Sequence, residues 1–247
     1  MRILAVDTST QTEGVAALDG DTVRAVIHTT NTQTHARRLM STVDATLKMA
    51  GMGINDFDGF AVTTGPGSFT GLRIGIGAVK GFALATDKPV VGVSTLEALA
   101  GGVPGFRGRV CPVLDARKGQ IYTALYECRG EDREVIEPAC VADPEQWLSR
   151  IDPPCLFVGD GLHAYKGFIE ETRGPEPQYA PACFNTLNAC VVGQIGRREF
   201  ERGNTVQVDR LTPLYIRKSD AEIKLEKAMV TVSCKVSLCD PGGPGER

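Results

Sequence analysis

The chain has 247 residues, 42% of them apolar, and a formal net charge of -3. These are the values of a globular protein with room for one large domain or two of about 100–120 residues, and they give no basic footprint for an independent nucleic-acid binder. Asp7 falls too early for the apolar core of a signal peptide, and no apolar run approaches the ~20 residues of a membrane helix, so a cytosolic protein is expected.

Ile3 to Val6 is an apolar run ending in Asp7, followed by the polar connector Thr8 to Thr12. Gly14 to Leu18 and Val23 to Ile27 complete an antiparallel meander of three strands, turning at Asp19-Gly20-Asp21. A helix from His35 to Met49 places Ala36, Leu39, Met40, Val43 and Leu47 at i, i+3, i+4, i+7 and i+11 and closes at Gly51. Phe57 to Val62 is a fourth strand, Pro89 to Val93 a fifth, and Ser94-Thr95-Leu96-Glu97 reads as a capping box. Then the opening recurs. Arg109 to Leu114 ends in Asp115, a short polar connector follows, and Ile121 to Tyr126 is a strand. Val135 to Glu137, Leu156 to Val158 and helices near Pro144, Gly161 and Thr186 complete a second copy. The reading is α/β: two related βββαβαβα domains, 1–105 and 106–222, with a cleft between them.

Between the fourth strand and the next helix lies TGPGSFTGLRIG. Gly65 and Gly67 tolerate positive φ, Pro66 fixes its own, and Ser68 or Thr70 can cap the helix after Phe69. Such a turn gathers backbone N–H groups as an anion site does, and equally as any tight strand-to-helix turn does. The helix carries Gly71, Gly75, Gly77 and Gly81, each costing about 1 kcal/mol against Ala. Gly71, Gly75, Ala78 and Ala85 fall on one stripe with almost no side chain. Close packing inside this chain and contact with a partner helix both account for it.

Four stretches carry a resemblance: ILAVDTST, GPGSFTGLRIG, GVSTLEALA and LTPLYIRKSDAE. Together with LDARKGQIYTALY they resemble the TsaB (YeaZ) family over about residues 1 to 222. The resemblance implies the actin–Hsp70–sugar kinase (ASKHA) fold. It also implies a role in tRNA threonylcarbamoyladenosine formation as an inactive paralogue of the TsaD transferase. It further implies dimerisation with TsaD, an ATPase, TsaE, that joins the pair, and contact with tRNA through the complex; a homodimer is an open alternative. The family's transferase has a histidine pair after its fifth strand, where this chain reads Val93-Ser94-Thr95-Leu96-Glu97-Ala98.

The residues agree with a chain that lacks its own chemistry. All eight cysteines lie at or beyond Cys111 without a C-x-x-C pair, and the three histidines, His28, His35 and His163, have no ligand spacing. No metal and no catalytic residue is therefore expected. The turns that grip phosphates in the superfamily read Asp7-Thr8-Ser9-Thr10, without glycine, and Asp115-Ala116-Arg117-Lys118-Gly119, with one. Arg117 and Lys118 are either phosphate-attracting charges or solvated ones. The expected cofactor is none, with ATP or ADP bound weakly or only at a subunit interface. The partner face is expected on Leu39, Met40, Val43 and Leu47 of the first helix and Gly71, Arg73, Gly75 and Ala78 of the second. The alternative is a stand-alone ATPase, kinase or peptidase. In the tail, 223–247, Val230, Val232, Cys234, Val236 and Leu238 alternate with polar residues before PGGPGER. An edge strand, exchange with a second copy, and disorder all fit that pattern.

Overall fold

The computed structural model describes residues 1–30, 35–130, 132–173 and 177–217, and the tail pattern just noted lies outside them. The first half runs β1 (Arg2–Asp7), β2 (Thr12–Asp19), β3 (Thr22–Thr30), α1 (His35–Ala50), β4 (Gly59–Gly65), α2 (Phe69–Thr86), β5 (Val90–Ser94) and α3 (Thr95–Gly101). The second runs β6 (Arg107–Arg117), β7 (Gln120–Arg129), β8 (Asp132–Ala142), α4 (Pro144–Leu148), β9 (Cys155–Val158), α5 (Leu162–Arg173), β10 (Gln178–Tyr179) and α6 (Ala189–Glu201). The sheet orders are β3-β2-β1-β4-β5 and β8-β7-β6-β9-β10, so one topology occurs twice. In each, an antiparallel meander is extended by two strands parallel to its first, as the crossover helices require. Asp7 pairs with Gly14 and Asp115 with Ile121, so the two aspartates occupy the same end of the same strand. The two-residue β10 has no signal in the sequence because it is too short to show a period.

The alternation of β1 divides its side chains between two cores. Leu4 and Val6 join Leu39, Val43, Ile76 and Val79 beneath α1 and α2, while Ile3 and Ala5 face Val192 and Ile195 of α6. β6 does likewise, with Val110 and Leu114 in the central core and Cys111 and Val113 under α4 and α5. The final helix of each half covers the other half's sheet: α3 packs on β6 and β7, and α6 on β1, β2 and β4. α6 comes this close because β-carbons on Gly193 and Gly196 would stand only 2.4 Å from Leu18 and 2.5 Å from Ala61. After α6 the chain returns along the first half, where Val206 bridges Val90 on the open edge of β5 and Leu211 is buried beside it.

Ser94 Oγ accepts the N–H of Glu97 at 3.4 Å, half of the expected capping box. The other half is replaced by an ion pair, with the Glu97 carboxylate 3.8 Å from Arg133 Nε. Among the described residues no helix is long and apolar enough to cross a membrane.

Candidate functional site

Asp7 is completely buried at the end of β1. Its Oδ1 accepts the Ser9 N–H at 3.0 Å, the Ser9 hydroxyl at 2.6 Å and the Thr63 hydroxyl at 2.7 Å. Its Oδ2 has no partner among the described residues. Burial pushes the carboxyl above its ordinary range, and the bonds from Ser9 and Thr63 oppose that shift without reversing it.

The glycine turn and α2 are pressed onto this segment. Ser68 N–H donates to the Ser9 carbonyl at 2.7 Å, and Ser68 Oγ caps α2 by accepting Gly71 N–H at 3.2 Å. Thr8 Oγ1 donates to the Gly71 carbonyl at 2.7 Å. A β-carbon on Gly67 would stand 2.2 Å from Ser9 O, one on Gly71 2.0 Å from Thr8 O, and one on Gly75 2.3 Å from Thr8 Oγ1. Three glycines thus make a groove that receives the Asp7–Ser9 turn. The carbonyl oxygen of Ser9 thereby takes the Ser68 N–H that an anion at the N-terminus of α2 would compete for. Gly65, at φ +123°, lies beneath Leu214, whose N–H donates to Thr64 O at 2.7 Å. Pro66 is buried beside it, while Thr70 is exposed.

This corrects the expected partner face. Gly71 and Gly75 are bare for the chain's own Thr8, and a foreign helix has no access to them. Leu39 and Val43 are core residues, and Leu47 and Ala78 pack against that core. Met40 is exposed, at 57%. Arg73 is exposed but engaged: its Nε donates to Tyr215 Oη at 2.7 Å. The bare surface of α2 lies a few residues round the helix. β-carbons on Gly77 and Gly81 would meet nothing within 4 Å, and Leu84 is 74% exposed. Arg73, Gly77, Gly81 and Leu84 follow one another at i+4, i+4 and i+3 along one face.

The second aspartate has different surroundings. Asp115 Oδ1 accepts the Arg117 N–H at 2.7 Å, and its Oδ2 lies 3.3 Å from Arg117 Nη1 near the surface. Arg117, Lys118 and Gly119 all have left-handed φ values, 64°, 57° and 71°. Asp115 N–H donates to Asp160 Oδ1 at 3.3 Å. Burial is the main cause that raises the Asp160 carboxyl above its ordinary range, opposed first by that amide. The Gly159-Asp160-Gly161 turn is held to β6, with Gly161 N–H donating to Val113 O at 3.0 Å.

One group beside the first turn has no counterpart in the sequence reading. Glu13, 1% exposed on β2, takes the Thr42 hydroxyl at 2.6 Å through Oε1 and faces His35 Nδ1 at 3.3 Å through Oε2. His35 Nε2 lies 2.8 Å from the carbonyl of Thr10, which places the middle of the connector. The ring thus ties the buried glutamate of β2 to the backbone of the connector. The available signal was a glutamate inside an apolar strand, which demands a buried partner. Among the described residues no group of three His, Cys, Asp or Glu side chains is arranged to hold a metal ion.

The doubled sheet, with its paired aspartate turns at equivalent strand ends, defines an α/β protein of the actin–Hsp70–sugar kinase class. A family model described as TsaD: tRNA N6-adenosine threonylcarbamoyltransferase matches residues 24–225. The tRNA threonylcarbamoyladenosine biosynthesis protein TsaB of Bacillus subtilis (strain 168) is 35% identical over 227 residues, covering 91% of this chain and 97% of that protein. The protein of the same description in Escherichia coli (strain K12) is also 35% identical, over 91% of this chain and 98% of its own length. The solved structure of YeaZ from Pseudomonas aeruginosa superposes with a TM-score of 0.74 at 29% identity, covering 87% of this chain and 99% of its own. The chain belongs to the TsaB (YeaZ) family.

Proposed function

We propose that this chain acts in forming tRNA N6-threonylcarbamoyladenosine as a non-catalytic subunit that docks on a TsaD-type transferase. The family supplies the pathway. One observation carries the non-catalytic reading: the first aspartate turn is packed into the Gly67, Gly71 and Gly75 groove of its own chain. Asp7 is sealed from water and bonded inward, so it offers no carboxylate to a metal–phosphate group. The chain therefore has no cofactor of its own, and ATP or ADP binds weakly or only at an interface with another subunit. A TsaE-like ATPase completes the assembly in the cytosol, and tRNA is reached through it.

The docking surface is the solvent face of α2, Arg73 to Leu84, and the exposed Met40 of α1 is a second apolar contact for the partner. The small residues at Gly77 and Gly81 let a partner backbone come near, and Leu84 gives it an apolar anchor. Calorimetry and pull-down test both halves of the proposal. The chain alone should show no ATP turnover, and Gly81→Leu or Leu84→Asp should weaken transferase binding about tenfold or more while the fold stays intact. Tight Mg-ATP binding with turnover lost in Asp7→Ala would instead establish a stand-alone ATPase or kinase. Normal transferase binding by both surface variants would remove the interface.

A further inference from the structure

After α6 the chain forms a strap along α2, and both cations of that helix hold it. Lys80 Nζ donates to Asp209 O at 3.2 Å. Arg73 Nε donates to Tyr215 Oη at 2.7 Å, and its guanidinium carbon stands 5.5 Å from the Tyr215 ring centroid. The same ring stacks on Phe69, with centroids 4.5 Å apart and planes 17° from parallel. Leu214 N–H, bound to Thr64 O, fixes the backbone one residue earlier. A surface arginine normally samples many rotamers and loses that freedom when it binds a partner. Here the loss is taken within the chain, because Tyr215 is anchored by its neighbours and holds the Nε edge. Four N–H donors remain on the two Nη atoms, in the planar fork that suits a carboxylate.

We infer that Tyr215 is a positioning residue for partner recognition. It sets Arg73 at the head of the docking face to take a carboxylate from an acidic helix of the transferase. The inference rests on the docking face proposed above, but on the Arg73–Tyr215–Phe69 geometry for its content. Charge selects the occupant. From Phe69 to Thr86, α2 has Arg73 and Lys80 and no acidic residue. A second copy docking by the same face would bring like charges together, whereas an acidic helix complements them.

The test is a double-mutant cycle on the full chain with the cognate TsaD-type transferase, measuring Kd at low and high salt. Arg73→Ala and Tyr215→Ala should each weaken binding about tenfold and flatten its salt dependence. The double variant should be no weaker than the weaker single one, because the two residues act as one unit. Tyr215→Phe, which keeps the stack and loses the hydroxyl, should fall between wild type and Tyr215→Ala; thermal midpoints check that every variant folds. Additive losses of about a hundredfold in the double variant would overturn the inference. So would a Tyr215→Ala protein with unchanged Kd and salt dependence. If Leu84→Asp abolishes binding while both of these variants bind normally, the docking face stands and this inference alone fails.

Discussion

The two aspartate turns hold equivalent places in the doubled topology and differ in what surrounds them. At Asp7 the connector is folded inward, three glycines of the next turn and helix make room for its backbone, and the carboxylate is sealed against Ser9 and Thr63. At Asp115 the connector is a hairpin near the surface, with Arg117 and Lys118 held in left-handed conformations and the carboxylate facing Arg117. A turn that grips phosphate needs open backbone N–H groups and an accessible carboxylate. The first turn has traded both for packing, and the second has kept exposure without a glycine-lined cradle. Duplicated topology therefore preserves the position of a residue far better than its chemistry.

Substitutions can break this contrast or sharpen it. The largest effect is expected from Gly71→Ala, whose new methyl would lie 2.0 Å from a backbone oxygen that cannot rotate away. A loss of about 3 kcal/mol or more is expected, read as a shift in the denaturation midpoint; a near-neutral variant would mean the turn is not seated in the groove. Gly161→Ala in the second half meets Val113 at 2.9 Å and should cost less, about 1–2 kcal/mol.

Asp7→Asn tests the buried carboxyl through pH. Its folded pKa is raised, so its favourable contribution is fully present below the unfolded value and is lost as pH rises through the folded one. The wild type should thus lose stability relative to Asp7→Asn as pH rises from acid toward neutrality. Thermal midpoints of the two proteins that run parallel across that range would contradict the burial argument.

Smaller gains are expected where the chain tolerates a local cost. Lys118→Gly relieves a left-handed residue and should stabilise by about 1 kcal/mol. Gly77→Ala, with open space around its β-carbon, should gain a similar amount, about 1 kcal/mol, from helix propensity. Gly75→Ala on the same helix should do the reverse, and equal effects at the two sites would erase the distinction between buried and bare glycines. The smallest change belongs to Asp115→Asn, under about 1 kcal/mol, because its partner Arg117 is well solvated.

Much of the fold was legible because its signals are local. The repeat of strand, aspartate and short connector at Asp7 and Asp115 is visible without coordinates, and so are the apolar spacing of α1 and the Ser68 cap. The site was legible only in outline. Four glycines in α2 announce a close approach, but helical periodicity does not say which neighbour approaches. Gly71 and Gly75 proved to serve Thr8, and Gly77 and Gly81 the solvent face. The pairing of Glu13 with His35, and of Arg73 with Tyr215, joins residues 22 and 142 positions apart. No spacing rule reaches that far.

Sequence alone therefore determined the elements, their duplication and the family, because each is written in short-range patterns of apolar, small and turn-forming residues. Tertiary structure alone decided that Asp7 is sealed, that the buried glycines belong to the chain's own backbone, and that Arg73 is held by the returning strap. These depend on which surfaces meet when α2 settles against β1 and the chain comes back from α6. Burial, desolvation and steric fit are properties of that meeting, and they exist only after distant segments are brought together.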